Sequence, residues 1–199
     1  MISDRLKKQI EFMLEIDKLK NIYRQTYVLH EDRRENDAEH SWHIAVLAFL
    51  LAEYSEKQID VLKTMKMLLI HDIVEIDAGD TYCYDVKGYE TKALREEKAA
   101  ERLFAILPVD QQTGFYALWR EFEDCTTNEA KFAALLDRLQ PMLLNYSKNG
   151  ISWKEHGTHK NQVLKRYEHT SEASETLTAL ALSIINEAAE RGLLKNNDI

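Results

Sequence analysis

Apolar residues recur at intervals of three and four along nearly the whole chain, and only six Gly and two Pro interrupt them. That spacing lays each apolar set along one face of an α-helix, so the chain is predicted to be all-α, a helical bundle. Leu6, Ile10, Met13 and Leu14 mark one face of a first helix. Further helices are expected over about 37–54, with Asp37 as N-cap, and over about 59–76, ending near Gly79. Residues 90–107 form the next and Pro108 stops it; 111–122 and 128–146 follow, the latter with Pro141 as a candidate kink. The best-patterned late segment is 172–191, while 26–37, 80–89 and 147–158 read as loops. No repeat or linker divides the chain, and 199 residues suit a single domain over 1–199.

Hydrophobic residues make up 45 % of the chain, which favours a packed core over disorder. The formal charge of −8 argues against a surface that grips a nucleic-acid backbone, although one local basic pocket would suffice for a single nucleotide. Cys83 and Cys125 are the only cysteines and lie far apart, which fits a reducing, cytoplasmic setting without a disulfide framework. No signal-peptide core opens the chain, and no run of 18 apolar residues offers a membrane span.

Against this apolar background stand His71 and Asp72, adjacent inside the run 65–74. A buried His-Asp pair is costly unless something binds it, and a divalent metal binds both side chains. His40 lies upstream, and Asp137 lies downstream between Leu135, Leu136 and Leu139. Two imidazoles and two carboxylates from three helical segments make a donor set of intermediate hardness. Such a set is suited to Mn²⁺, Fe²⁺, Co²⁺, Ni²⁺ or Zn²⁺ rather than to a structural Cys-rich zinc. The plainer alternative is an internal His–Asp hydrogen-bond network. Glu75 falls four residues after His71 and three after Asp72, on the same helix face, where a carboxylate is placed to move protons on an attacking water. Asp80, just past Gly79, is placed to meet a substrate hydroxyl, whereas Asp77 reads as solvated. His43 shares a face with His40 and reads as an outer partner of the site or as a packing residue. Tyr82, Tyr84 and Tyr89 cluster in the loop after Asp80 and either stack on a base or pack down.

Arg33-x-Glu35-Asn36-x-x-Glu39-His40-Ser41, His71-Asp72-x-x-Glu75-x-x-x-Gly79-Asp80 and Leu136-Asp137 together resemble the HD-domain metal-dependent phosphohydrolases, and within them the bacterial 5′-deoxynucleotidase type. The resemblance covers roughly 19–146. It implies an all-α HD-domain bundle around a central divalent cation (Mn, Co, Ni, Fe, Mg or Zn). It implies His40, His71, Asp72 and Asp137 as ligands and Glu75 as the proton-handling residue. It places Arg24 at the phosphate and Asp80 at the sugar, and it implies a homodimer. The nucleotidases carry a Trp directly after that Arg, where it tests the sugar; here the residue is Gln25. Lys87 and Arg33 read as surface charges that could also serve phosphate.

Three function classes follow. The first is a 5′-nucleotidase that releases phosphate from (deoxy)nucleoside 5′-monophosphates. The second keeps the site but takes another small phosphate ester, such as a cyclic or polyphosphorylated nucleotide. The third is a non-catalytic helical module with a structural metal. The partner expected is a small phosphorylated molecule, neither a nucleic-acid polymer nor a membrane.

Overall fold

A computed structural model describes residues 2–196, the Val86 side chain excepted. Ten α-helices and one two-stranded sheet are seen among these residues: α1 (Asp4–Ile16), β1 (Tyr23–Tyr27), β2 (Arg34–Asn36), α2 (Asp37–Leu50), α3 (Val61–Ile70), α4 (Glu75–Ala78), α5 (Val86–Phe104), α6 (Val109–Asp124), α7 (Asn128–Ser147), α8 (Ile151–His156), α9 (Lys160–Lys165) and α10 (Glu175–Glu190). The all-α expectation holds. No helix of the described residues is long and apolar enough to cross a membrane.

Two apolar clusters form the core. One gathers Ile44, Leu68, Phe132, Leu136, Leu139, Leu177 and Ile185 from α2, α3, α7 and α10. The other gathers Phe12, Ile73, Val74, Leu103, Phe104 and Trp119 from α1, the segment after α3, α5 and α6. Leu68 and Ile70 of α3 belong to different clusters, so the end of α3 lies where the two meet. That seam holds the buried polar residues Asp37, His40, His71, Asp72 and Glu75.

Several local expectations are corrected. Residues expected as the loop 26–37 contain most of an antiparallel hairpin, with Tyr23 opposite Asn36 and Tyr27 opposite Arg34. The hairpin is pinned from outside by Tyr27 Oη donating to Glu155 (2.9 Å) and by Lys148 Nζ donating to the Val28 carbonyl (3.0 Å). Asp37 is not the cap of α2. Asn36 takes that place: its side chain accepts from the Glu39 amide (2.9 Å), and Glu39 returns a bond from the Asn36 amide (3.1 Å). Asp37 becomes the first helical residue, with its side chain fully buried.

The helix expected over 59–76 breaks in two. α3 ends at Ile70, the backbone tightens into a 3₁₀ turn over His71–Val74, and the single turn α4 ends at Gly79, whose φ of +74° suits glycine. Pro141 lies inside α7 and has no N–H to give to the carbonyl of Asp137, four residues earlier. The 147–158 loop contains α8, bounded by Gly150 and Gly157 with φ of +67° and +62°. α5 starts at Val86, earlier than expected, with Asp85 accepting from the Lys87 amide. The expected apolar face of α1 lies outward: Leu6, Ile10, Met13 and Leu14 are exposed, and Phe12 is the buried anchor, edge-on to Phe115 at 5.4 Å.

Candidate metal centre

The 3₁₀ turn after α3 presents His71 and Asp72 together, α2 brings His40 and α7 brings Asp137. His40 Nε2 lies 3.0 Å from Asp137 Oδ1 and 4.0 Å from Asp72 Oδ2. His71 Nε2 lies 3.0 Å from Asp72 Oδ1 and 3.7 Å from Asp137 Oδ1. Ligand atoms of His40, His71 and Asp72 all fall within 4.8 Å of one another, and so do those of Asp37, Asp72 and Glu75.

These separations suit a cation. Donors about 2.1 Å from one ion stand roughly 3 Å apart at right angles and about 4 Å apart across it. His71 Nε2 is buried and makes no hydrogen bond despite the carboxylate beside it, so it faces the centre with its bonding capacity unspent. Both rings are held from behind. His71 Nδ1 donates to the Leu68 carbonyl at 2.9 Å, and His40 Nδ1 meets Gln140 Oε1 at 3.0 Å. Gln140 Nε2 in turn donates to Glu35 Oε1 (2.6 Å) and meets His43 Nδ1 (3.1 Å). Such backing fixes the tautomer that aims Nε2 at a metal. The donor set therefore fits a divalent ion.

The electrostatics follow from burial and crowding. Burial pulls the His71 imidazole down, but Asp72 and Asp137 outweigh it and push it up to about 10. Burial also works to raise Asp72 and Asp137, yet His71 and Arg24 hold Asp72 low, and His40 and His71 hold Asp137 well below the usual carboxylate range. Asp37 is pushed up to about 7 by burial and by the charge of Asp72. Glu75 is raised well above its ordinary value by burial, then by Asp72, Asp37 and Asp80.

Arg24 lies deeper than a phosphate contact at the rim would. Its Nη1 donates to Asp72 Oδ2 (2.8 Å) and Asp37 Oδ1 (3.3 Å), and Nη2 stands 3.8 Å from Asp137 Oδ1. Beside it opens a cavity of about 80 Å³ whose wall includes Arg24, Gln25, Asp80, Asp137, Tyr82 and Tyr84. Asp80 is half-buried there, on a loop held by Arg95, which donates to Thr81 Oγ1 (2.8 Å) and the Gly88 carbonyl (3.3 Å). Tyr82 packs on His156 at 4.3 Å and meets Tyr84 edge-on at 5.3 Å. Tyr89, in contrast, lines a second, outer cleft of about 670 Å³. Arg33 pairs with Glu39 and Glu31 outside the cavity, Lys87 is exposed, and Asp77 pairs with Arg102.

Three residues at or behind the centre were not assigned to it from sequence, Asp37, Glu35 and Gln140, nor was Arg166 assigned to the cavity wall. Signals existed for two of them. Asp37 precedes His40 by three residues and Gln140 follows Asp137 by three, so each shares a face with a candidate ligand.

Comparison with known proteins agrees with this geometry. A family model described as HD domain matches residues 16–178, wider than the motif-bearing stretch 19–146. The chain is 30 % identical over 138 residues to 5′-deoxynucleotidase HDDC2 of Xenopus laevis, covering 69 % of this chain and 67 % of that protein. It is 29 % identical to the human protein of that name over 135 residues, covering 67 % and 65 %. The matched stretches thus span about two thirds of those relatives. A crystal structure of a predicted metal-dependent phosphohydrolase from Magnetospirillum magnetotacticum MS-1 superposes with a TM-score of 0.91 at 50 % identity, covering 96 % of this chain and 99 % of that one. With the His–Asp centre in place and the family model spanning most of its length, the chain belongs to the HD-domain family.

Proposed function

We propose that this chain is a metal-dependent phosphohydrolase that releases phosphate from nucleoside 5′-monophosphates. The observation that carries this reading is the convergence of His40, His71, Asp72 and Asp137 beside Glu75 and Arg24, at one end of a cavity. The names of the HDDC2 relatives and of the Magnetospirillum protein support the reaction and substrate class.

His40, His71, Asp72 and Asp137 would hold the cation. Once bound, a divalent ion lowers the pKa of water and offsets charge on phosphoryl oxygens. Glu75 takes a proton from the attacking water and returns one to the leaving ester oxygen, for which a raised carboxyl is suited. Arg24 supplies fixed positive charge beside the phosphoryl group and cancels part of the carboxylate charge that would repel it. Asp80 accepts from a sugar hydroxyl. Gln25, smaller than the Trp of the nucleotidases, leaves space for a ribose 2′-hydroxyl. A cytoplasmic setting belongs to the same reading, supported by two free cysteines. A homodimer does too, supported by the exposed apolar side chains Trp42, Phe49 and Leu50 of α2; light scattering at the monomer mass would remove that part.

The test is phosphate release by metal-stripped protein from all ribo- and deoxyribonucleoside 5′-monophosphates, with Mn²⁺, Co²⁺, Ni²⁺, Mg²⁺ and Zn²⁺ supplied in turn. Metal-dependent release is expected; silence from folded, metal-loaded protein overturns the substrate assignment. Gln25→Trp should shift kcat/KM toward deoxy substrates by roughly tenfold, about the effect of one steric contact in a pocket. An unchanged ratio would show that Gln25 does not gate the sugar.

Metal removal has its own expected result. A ligand that binds only the folded state at 100 times its Kd adds about 2.7 kcal/mol. For a domain of this size that corresponds to roughly 5–10 °C in melting temperature. Chelation should lower the midpoint by that amount, and Mn²⁺ or Co²⁺ should restore it. A midpoint indifferent to both would count against a resident ion.

A further inference from the structure

Of the ten arginines in the chain, eight hold a protein oxygen through their guanidinium groups. Arg138 and Arg166 are the two that do not: among the described residues neither side chain makes a hydrogen bond or an ion pair. Carboxylates are not scarce, since Asp and Glu number 34 against 26 Lys and Arg. Both arginines are half-buried. A half-buried guanidinium gives up part of its hydration; the charge of Asp137 acts on Arg166 from a distance, but no anion meets either guanidinium directly.

Their position explains the omission. The inner cavity beside Asp137 and the outer cleft share four lining residues: Cys83, Tyr84, Arg138 and Arg166. The unpaired arginines therefore stand in the partition between the metal centre and the larger space. The inner cavity, about 80 Å³, is small beside the outer cleft of about 670 Å³, which lies within the range of ligand clefts. A nucleotide at the centre, its sugar against Asp80 and Gln25, thus has the outer cleft across this partition as space for a further group. Lys165 adds a third cation there, against Asp85 and Glu168. Arg24 already serves the inner end, so a second pair of forked donors at the partition suits a second anion on the same molecule.

We propose that Arg138 and Arg166 form an anion subsite separate from the metal, and that the substrate is a nucleotide carrying, besides the phosphate that is released, a second phosphoryl group held by these two side chains. The proposal rests on the phosphohydrolase reading and narrows its substrate class.

The experiment compares adenosine 3′,5′-bisphosphate with adenosine 5′-monophosphate on metal-loaded enzyme, as wild type and as the double variant Arg138→Gln/Arg166→Gln. For wild type, kcat/KM should favour the bisphosphate at least tenfold, mainly through KM. In the double variant that ratio should collapse at least tenfold. Equal rates on both substrates in wild type, or equal losses on both in the variant, overturn the subsite. Calorimetric binding of the bisphosphate separates this outcome from failure of the parent reading. If neither nucleotide is hydrolysed but wild type binds the bisphosphate at least tenfold tighter than the variant does, the subsite stands and the nucleotidase reading falls. Equal binding removes the subsite. Should the double variant fail to fold, Arg166→Gln alone is read in the same two assays, against Arg166→Lys, which keeps the charge and should retain part of the preference.

Discussion

Replacing Glu75 by Gln should lower kcat by about 10²- to 10⁴-fold, the usual span for loss of a positioned proton-transfer group. KM should change little, and the protein should stay folded and keep its metal. The substitution is nearly isosteric, and Glu75 is only 5 % exposed, so the amide occupies the same space. What it removes is the ability to exchange a proton. Burial and the charges of Asp72, Asp37 and Asp80 all hold this carboxyl above its normal range, so it binds a proton more readily than an exposed glutamate does. Its Oε2 is buried without a hydrogen-bond partner, which keeps one oxygen free for a reacting atom. Asp37 is the rival, because it lies in the same cluster and is pushed up to about 7. Single-turnover phosphate release by Glu75→Gln and Asp37→Asn decides between them. A Glu75→Gln enzyme with kcat within threefold of wild type would move the proton role to Asp37 or to solvent.

The centre was legible in the sequence because polar residues in an apolar helical run are conspicuous. His71-Asp72 between Ile70 and Ile73, and Asp137 between leucines, announce a cost that a metal offsets. Glu75 follows from helical spacing alone, even though the helix there is not continuous. The tightening at His71–Val74 was invisible because a 3₁₀ turn repeats every three residues and an α-turn every 3.6, and over four residues the two patterns coincide. Asp37 was misread for a local reason. Asn36, Asp37 and Glu39 are all ordinary start-of-helix residues, and only the Asn36–Glu39 reciprocity settles which one caps. The hairpin was hidden by the polar run Arg33-Arg34-Glu35-Asn36, where Glu35 is nevertheless buried against Gln140 and His40. α8 is too short, at six residues between two glycines, to carry a helical period. Arg166 could not be found from sequence at all, since its significance is the lack of a partner, which only tertiary placement reveals.

Arg24→Met should be the most destabilising single change at the site, by about 3–5 kcal/mol, the cost of leaving buried charge without its partner. That corresponds to a fall in melting temperature of roughly 10 °C or more for a domain of this size. The reason is the number of carboxylates that depend on one guanidinium. Arg24 bonds Asp72 and Asp37 directly and stands within 4 Å of Asp137, while Glu75 adds its charge to the same field. Methionine keeps much of the stem's packing but returns none of the charge. Metal should rescue part of the loss, because a dication also offsets Asp72 and Asp137, so the deficit should be larger in metal-free protein than in metal-loaded protein. Activity should fall further than stability explains, through a raised KM, since an anionic substrate would approach uncompensated carboxylates. Arg24→Lys should recover part of the stability but little of the activity, because a single ammonium cannot bond Asp72 and Asp37 as Nη1 does and also face Asp137 as Nη2 does. Thermal melts of the three proteins, each with and without Mn²⁺, make the comparison. If Arg24→Met melts with wild type in both states, the carboxylates must share protons among themselves, and Arg24 would then have to be there for the phosphate alone.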